Sequence, residues 1–218
     1  ERFRNCRIIV GTVAAISGKP ELFRLKHFDV AIIDEATQIL EPQLLGILCA
    51  RGEDGKDAID KFVLIGDHKQ LPAVVQQNTE QSAIYDESLL SIGLTNLKDS
   101  LFERLYRNCT ATVHRSYDML CRQGRMHPEV ALFANRAFYG GRLIPVGLPH
   151  QIESSDTICR LAFYPSVPEK VGASAKINYS EARIVADLAV RIYEDHQADF
   201  DESRTLGIIT PYRSQIAL

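Results

Sequence analysis

The chain has 218 residues, 45% apolar and 24% charged, with a formal net charge of −3. That length holds one large domain or two compact ones around an ordinary core, and the near balance of charge excludes a broadly polybasic protein, so any nucleic-acid contact has to come from a local patch. No apolar run approaches the roughly 20 residues of a spanning helix, and ERFRNCRIIV lacks the apolar stretch of a signal peptide; the expectation is a soluble chain, cytoplasmic or, in a eukaryote, nuclear, not secreted and with no membrane partner.

In chain order, short β-rich runs alternate with helical patterns, the signature of an α/β fold with parallel sheets flanked by helices. Strands are predicted at 7–12 (RIIVGT), 28–33 (FDVAII) and 61–66 (KFVLIG), then at 117–121, 159–164 (CRLAFY) and 205–210 (TLGIIT). Pro42 suits a first helical position, and Ser100 with Glu103 has capping-box spacing. Pro128 opens a helix whose Val130, Phe133, Ala134 and Ala137 share a face. Asn178 and Glu181 box the start of another with Ala182, Val185, Ala186, Ala189 and Ile192 in a stripe. Most of these apolar residues are expected in the core. Residues 50–60 and 147–156 read as loops, and the acidic 194–202 run as a solvated helix end. The lobe boundary is expected near Thr112, between the two strand sets.

The five cysteines are far apart, with no C-x-x-C pair, and the six histidines are scattered. Reduced, mostly buried thiols and no metal cluster are therefore expected.

The run IIDEAT ends a predicted strand in two adjacent acids, Asp34 and Glu35. Two carboxylates there can hold a magnesium ion and ready a water for attack on a phosphate, provided something grips the phosphate. A phosphate loop reads G-x-x-x-x-G-K-[ST]. GTVAAISGKP misses it: Gly11 and Gly18 are wrongly spaced and Pro20 stands where the hydroxyl belongs, so a strand followed by a turn is the better reading. Alone, IIDEAT is unspecific.

Further motifs follow in order: LIGDHKQLPAVV from Leu64, SLFERL from Ser100, QGRMHPEVALFANRAFYGGRL from Gln123, INYSEA from Ile177 and GIITPYRSQ from Gly207. The set resembles superfamily 1 helicases, in the branch of the nonsense-mediated-decay RNA helicase and its DNA-processing relatives, whose motifs read DEA[ST], GDxxQLPP, SLFERL, QYRMHP, FYxGxL, NxxEA and ITPYxxQ. The resemblance covers nearly the whole chain. It implies parts of two tandem RecA-like lobes, 1–112 and 113–218, from an internal stretch of a longer protein, with the phosphate loop upstream and the last helicase motifs downstream. The isolated chain is accordingly expected to lack ATPase activity.

The resemblance also implies roles. Asp34 would bind Mg2+, Glu35 would orient and deprotonate the water, Gln70 would sense the γ-phosphate of ATP, and Arg125 would bring positive charge to the transferring oxygens from the second lobe. Thr12, Thr210 and Tyr212 would contact the phosphates of a single strand of DNA or RNA. From Arg122 to Arg142 four arginines face one acid, Glu129, which suits a phosphate track or a solvated face equally. Two positions depart from the pattern: Gly124 replaces an aromatic that stacks on adenine in relatives, and Ala73 replaces a second proline. His68 and His127 read as structural or hydrogen-bonding. Two alternatives stay open: a helicase-derived binding or assembly module without ATPase activity, and another phosphate-loop ATPase such as a DEAD-box protein, which shares DEA but not GDHKQLP followed by GRMHP.

Overall fold

The computed structural model describes residues 2–112, 116–153, 160–167 and 176–218. The chain divides into two compact units, Glu1–Cys121 and Arg122–Leu218. The sequence places the change of lobe near Thr112; the contacts assign 116–121 to the first unit.

The first unit opens with α1 (Arg2–Asn5), α2 (Val13–Ser17) and α3 (Glu21–Leu25). Strand β1 (Phe28–Ile33) follows, then a 3-10 turn (Ala36–Gln38), α4 (Glu41–Leu48), β2 (Ile59–Leu64), α5 (Glu87–Ser91) and α6 (Leu101–Ala111). β1 and β2 pair in parallel, with Ala31 opposite Phe62 and Ile33 opposite Leu64. Because side chains alternate along a strand, those two pairs share one face, while Val30, Ile32 and Val63 share the other. Ile33 and Ala36 are packed with Leu44 of α4 and Leu101 of α6, a cluster lying directly behind the end of β1. A second cluster joins Phe23, Ile47, Ala58 and Ile59 at the strands' beginnings. The opposite face stays open, with Ile32 67% exposed.

The helix-start signals take the forms their chemistry implies. Ser100 accepts a hydrogen bond from the Glu103 amide at 3.2 Å, and Pro42 lies in the first turn of α4. Arg104 of α6 is nearly buried and reaches Glu41 of α4 through two hydrogen bonds, the one from Nε at 2.9 Å, while its third nitrogen donates to the Ile92 carbonyl at 3.0 Å.

The second unit contains β3 (Arg122–Gln123) and β4 (Ile144–Pro145), paired in parallel, with α7 (Pro128–Tyr139) between them. Then come α8 (Pro149–Ile152), α9 (Tyr179–Asp195) and α10 (Arg213–Ile216). Helix α7 ends at Gly140, whose φ of 60° is the left-handed conformation glycine adopts at little cost.

Several expectations are corrected. Residues 7–12, 117–121 and 205–210 form no strand, and 160–164 forms none either, Cys159 lying outside the described residues. Their exposed side chains, Val10, Phe163 and Ile209 at 90% or more, have no neighbouring strand among the described residues to pair with. GTVAAISGKP is not strand and turn: Val13–Ser17 is helical. β2 begins earlier than predicted, inside the 50–60 loop, and α8 interrupts the 147–156 loop, whose residues 154–156 lie outside the described residues. Neither the face expected on α9 nor the one expected on α7 has a buried member; Ala131, the buried residue of α7, lies outside the expected face. Among the described residues of the second unit the strands form a short two-stranded pairing. The thiols are not mostly buried: Cys6 and Cys49 are exposed, Cys109 and Cys121 half-buried. Among the described residues no helix is long and apolar enough to cross a membrane.

Candidate active site

The stretches carrying Asp34, Glu35 and Gln70 follow the C-terminal ends of the paired strands. Past the named strands the ladder continues for one more step: the Ile65 amide donates to Ile33 and the Ala36 amide to Ile65, each at 2.8 Å. This pins the Asp34–Glu35 turn beside the 66–70 loop.

At the turn, Asp34 Oδ1 accepts the Glu35 amide at 3.0 Å, and both residues are exposed. Glu35 has φ 52° and ψ 36°, the only positive φ outside glycine among the described residues. A non-glycine residue held left-handed costs on the order of 1–3 kcal/mol, which the buried Ile33–Ala36–Leu44–Leu101 packing behind it offsets. The left-handed residue ends the extended run of β1 and leads into the 3-10 turn, leaving both acids exposed at the C-terminal end of the strand. Glu35 Oε2 is held by the Gln38 side-chain amide at 3.2 Å.

On the neighbouring strand, Asp67 organises the loop. Its Oδ1 accepts the Lys69 amide at 3.0 Å, its Oδ2 the Gln70 side-chain amide at 2.9 Å, and its carbonyl the Gln70 backbone amide at 3.1 Å. Gln70 is exposed but fixed. The two loops touch at Gly66, where an added Cβ would lie 2.9 Å from Thr37 Cγ2 and 3.0 Å from the Thr37 amide nitrogen. Asp67 and Thr37, which the sequence reading did not single out, hold these two loops in place. The signal for Asp67 was present, since an aspartate three residues before a glutamine is a turn-former. Thr37 is the last position of the DEA[ST] motif, which assigns it no contact with the 66–70 loop.

The donors at the turn suit a hard divalent cation: a carboxylate at a strand end with an oxygen left over after its one backbone bond. No cluster of three or more His, Cys, Asp or Glu able to hold a metal occurs among the described residues, so the cation's other ligands would be phosphate oxygens and water. GTVAAISGKP gives no phosphate cradle. The Gly18 and Lys19 amides are spent on the Ala14 and Ile16 carbonyls inside α2. Thr12 caps that helix, its Oγ1 accepting from the Ala15 amide at 3.2 Å.

In the second unit, Arg125 lies in an exposed turn braced from both sides. Gln123 Oε1 accepts the Arg125 and Met126 amides at 3.1 and 2.8 Å, and buried Gln151 donates to the carbonyls of Gln123 and Met126 at 2.9 and 3.0 Å. The backbone is therefore rigid where the guanidinium projects. His127 caps α7 through its ring nitrogen, 3.3 Å from the Glu129 amide. A Cβ on Gly124 would meet Leu148 at 3.2 Å and Val146 at 3.5 Å, so aliphatic side chains occupy the space beside the position where relatives carry an aromatic.

Thr210 and Tyr212 stand before α10, and their turn is tied to the start of α9. Gln215 accepts the Asn178 amide at 2.7 Å and donates to the Asn178 carbonyl at 2.8 Å. Lys176 Nζ lies 5.7 Å from the Tyr212 ring centroid. Asn178 itself caps α9, accepting the Glu181 amide at 3.1 Å. Thus Asp34, Glu35 and Gln70 are brought together in the first unit, with Thr12 on that unit's separate α2. Arg125, Thr210 and Tyr212 belong to the second.

Comparison with known proteins divides the chain elsewhere, the second match beginning inside the first compact unit. Two profiles, each described as an AAA domain, match residues 1–78 and 97–218. The DNA replication ATP-dependent helicase/nuclease DNA2 of Xenopus laevis is 29% identical over 100% of this chain and 21% of its own length. A probable helicase of Dictyostelium discoideum is 31% identical over 95% of the chain and 20% of its own length. Mouse probable helicase senataxin is 27% identical over 86% and 7% respectively. The chain spans about a fifth of the length of the first of these relatives.

Proposed function

Because this chain belongs to the AAA domain family, in the superfamily 1 helicase branch with its RecA-like α/β fold, we propose that it is the motor segment of an ATP-dependent helicase or translocase acting on single-stranded nucleic acid. The observation that carries the reading is the convergence of Asp34, Glu35 and the Asp67-clamped Gln70 at adjacent strand ends.

Asp34 holds magnesium. Bound there, a magnesium ion would supply positive charge against the charge developing on the phosphate. Glu35, kept in line by Gln38, accepts the proton of the attacking water. Gln70 contacts the γ-phosphate, and its tether to Asp67 makes the position of the whole 66–70 loop depend on that contact. Arg125, in the second unit, supplies positive charge to the transferring oxygens, stabilising charge that develops on them. Thr12, Thr210 and Tyr212 take phosphates of the strand, through a hydroxyl at Thr12 and through the turn before α10.

The non-enzymatic module is the weaker reading, since Asp34, Glu35, Gln70 and Arg125 are all present. Relatives named as a DNA replication helicase and, in mouse, as a 5'-3' DNA helicase 28% identical over 95% of the chain favour DNA as the strand. The test is ATP turnover by the full-length protein with single-stranded DNA or RNA added in turn. Stimulation by a strand is expected, more by DNA; no magnesium-dependent turnover under either condition would refute the proposal.

A further inference from the structure

Helix α6 is joined to both catalytic loops, and one of its residues is not explained by packing alone. Its N-terminal half holds the Glu35 side: Leu101 packs on Ala36, Leu40 bridges to Ser100, and Arg104 clamps Glu41. Tyr106, one turn further on, touches the Gln70 side. Its ring lies 4.5 Å from the His68 imidazole, centroid to centroid, with the planes tilted by 34°. On its other side it meets Tyr117 edge-on at 5.1 Å, and Phe102 stacks parallel at 6.5 Å. His68 sits inside the four-residue turn that Asp67 knits together and that Gln70 ends. Tyr117 lies in 116–121, the last stretch of the first unit before the chain enters the second at Arg122.

A continuous ring contact thus runs from the loop that carries Gln70 to the segment that leads out of the first unit. Such pairs prefer specific offset or edge-to-face geometries, so a small rotation of one ring is felt by the next. The anchor in the middle is stiff, because α6 is held by the nearly buried Arg104–Glu41 pair. Tyr117 at the far end is 43% exposed, a ring that can shift without opening the core.

We propose that Tyr106 is a positioning residue that passes displacement of the Gln70 loop, through His68 and Tyr117, to the chain segment entering the second unit, and so couples nucleotide state to strand response. This rests on the reading of Gln70 as the γ-phosphate contact. Tyr106 touches neither nucleotide nor strand; it acts through the two rings on either side.

The experiment measures ATP turnover of the full-length protein, with and without single-stranded DNA, for wild type, Tyr106→Leu, Tyr106→Phe and Tyr117→Leu, with melting temperatures alongside. Tyr106→Leu is expected to retain unstimulated turnover and KM for ATP while losing about fivefold in the stimulated kcat, the scale of one aromatic pair. Tyr106→Phe, which keeps the ring, restores it, and Tyr117→Leu falls in the same direction; should Tyr106→Leu not fold, Tyr117→Leu decides. Full stimulation in the leucine variants overturns the inference, as does a proportional loss of unstimulated and stimulated turnover, which marks a purely structural role. A wild type that turns over ATP but shows no stimulation by any strand overturns the underlying coupling reading as well, and is told apart by the control alone.

Discussion

Replacing Glu41 by alanine strands a guanidinium in the interior of the first unit. The two side chains are only 11% and 13% exposed, and Arg104 gives the carboxylate two of its three hydrogen bonds, the third going to Ile92. Breaking a buried pair by removing one partner costs about 3–5 kcal/mol, because the remaining charge has lost both water and counter-ion. The Ile92 carbonyl stays in place, so the lower end, about 3 kcal/mol, is the expected value; for a chain of this size that is a fall of roughly 6–12 °C in Tm. Scanning calorimetry of the chain reads it directly. The double variant Glu41→Leu with Arg104→Leu removes both charges and should recover most of the loss, since apolar replacements of buried pairs are often neutral. A Glu41→Ala melt within about 2 °C of wild type would show that solvent already screens the pair and would refute the reasoning.

Other outcomes follow from the same geometry. Gly66→Ala drives a Cβ into the buried Thr37, including its backbone nitrogen, which cannot swing away; a loss of about 1–3 kcal/mol is expected in denaturant titration, with displacement of the Gln70 loop seen as reduced ATP turnover. Asn178→Ala removes the cap that receives the Glu181 amide and should cost about 1 kcal/mol, read as faster hydrogen exchange in the first turn of α9. His27 Nε2 lies 3.0 Å from an Asp60 carboxylate oxygen, and that hydrogen bond raises the imidazole's pKa above its ordinary value. Its folded value is therefore higher than its unfolded one. The resulting stabilisation is present in full below the unfolded pKa and is lost as pH rises through the folded one. An NMR titration should show the upward shift in wild type and its loss in Asp60→Asn.

The strand ends that matter were legible because they combine two signals: an apolar run and a chemically unusual pair of side chains after it. FDVAII became β1 at the predicted residues, and the caps at Ser100 and Asn178 formed because a hydroxyl or amide at that position satisfies an otherwise orphan helix amide. RIIVGT and TLGIIT carry the same apolar composition, yet a strand also needs a neighbour, and composition is silent about which neighbour is present. The α9 stripe failed for the same reason, periodicity marking a face without supplying what covers it. At the site, the left-handed Glu35 was invisible because non-glycine residues enter that conformation only when packing forces them there. The bond that the Asp67 amide donates to Thr37 Oγ1, 3.4 Å across a separation of 30 residues, has no local signature at all.

Under the proposed function Asp34 and Glu35 do separate jobs, one holding magnesium and the other taking a proton from water. Single-turnover hydrolysis and Mg-ATP binding by full-length Glu35→Gln test it most directly. The chemical step is expected to slow by about 10²–10⁴-fold while ATP binds within a few-fold of wild type, because a neutral amide keeps the shape and loses the base. Hydrolysis at the wild-type rate in Glu35→Gln would contradict the assignment.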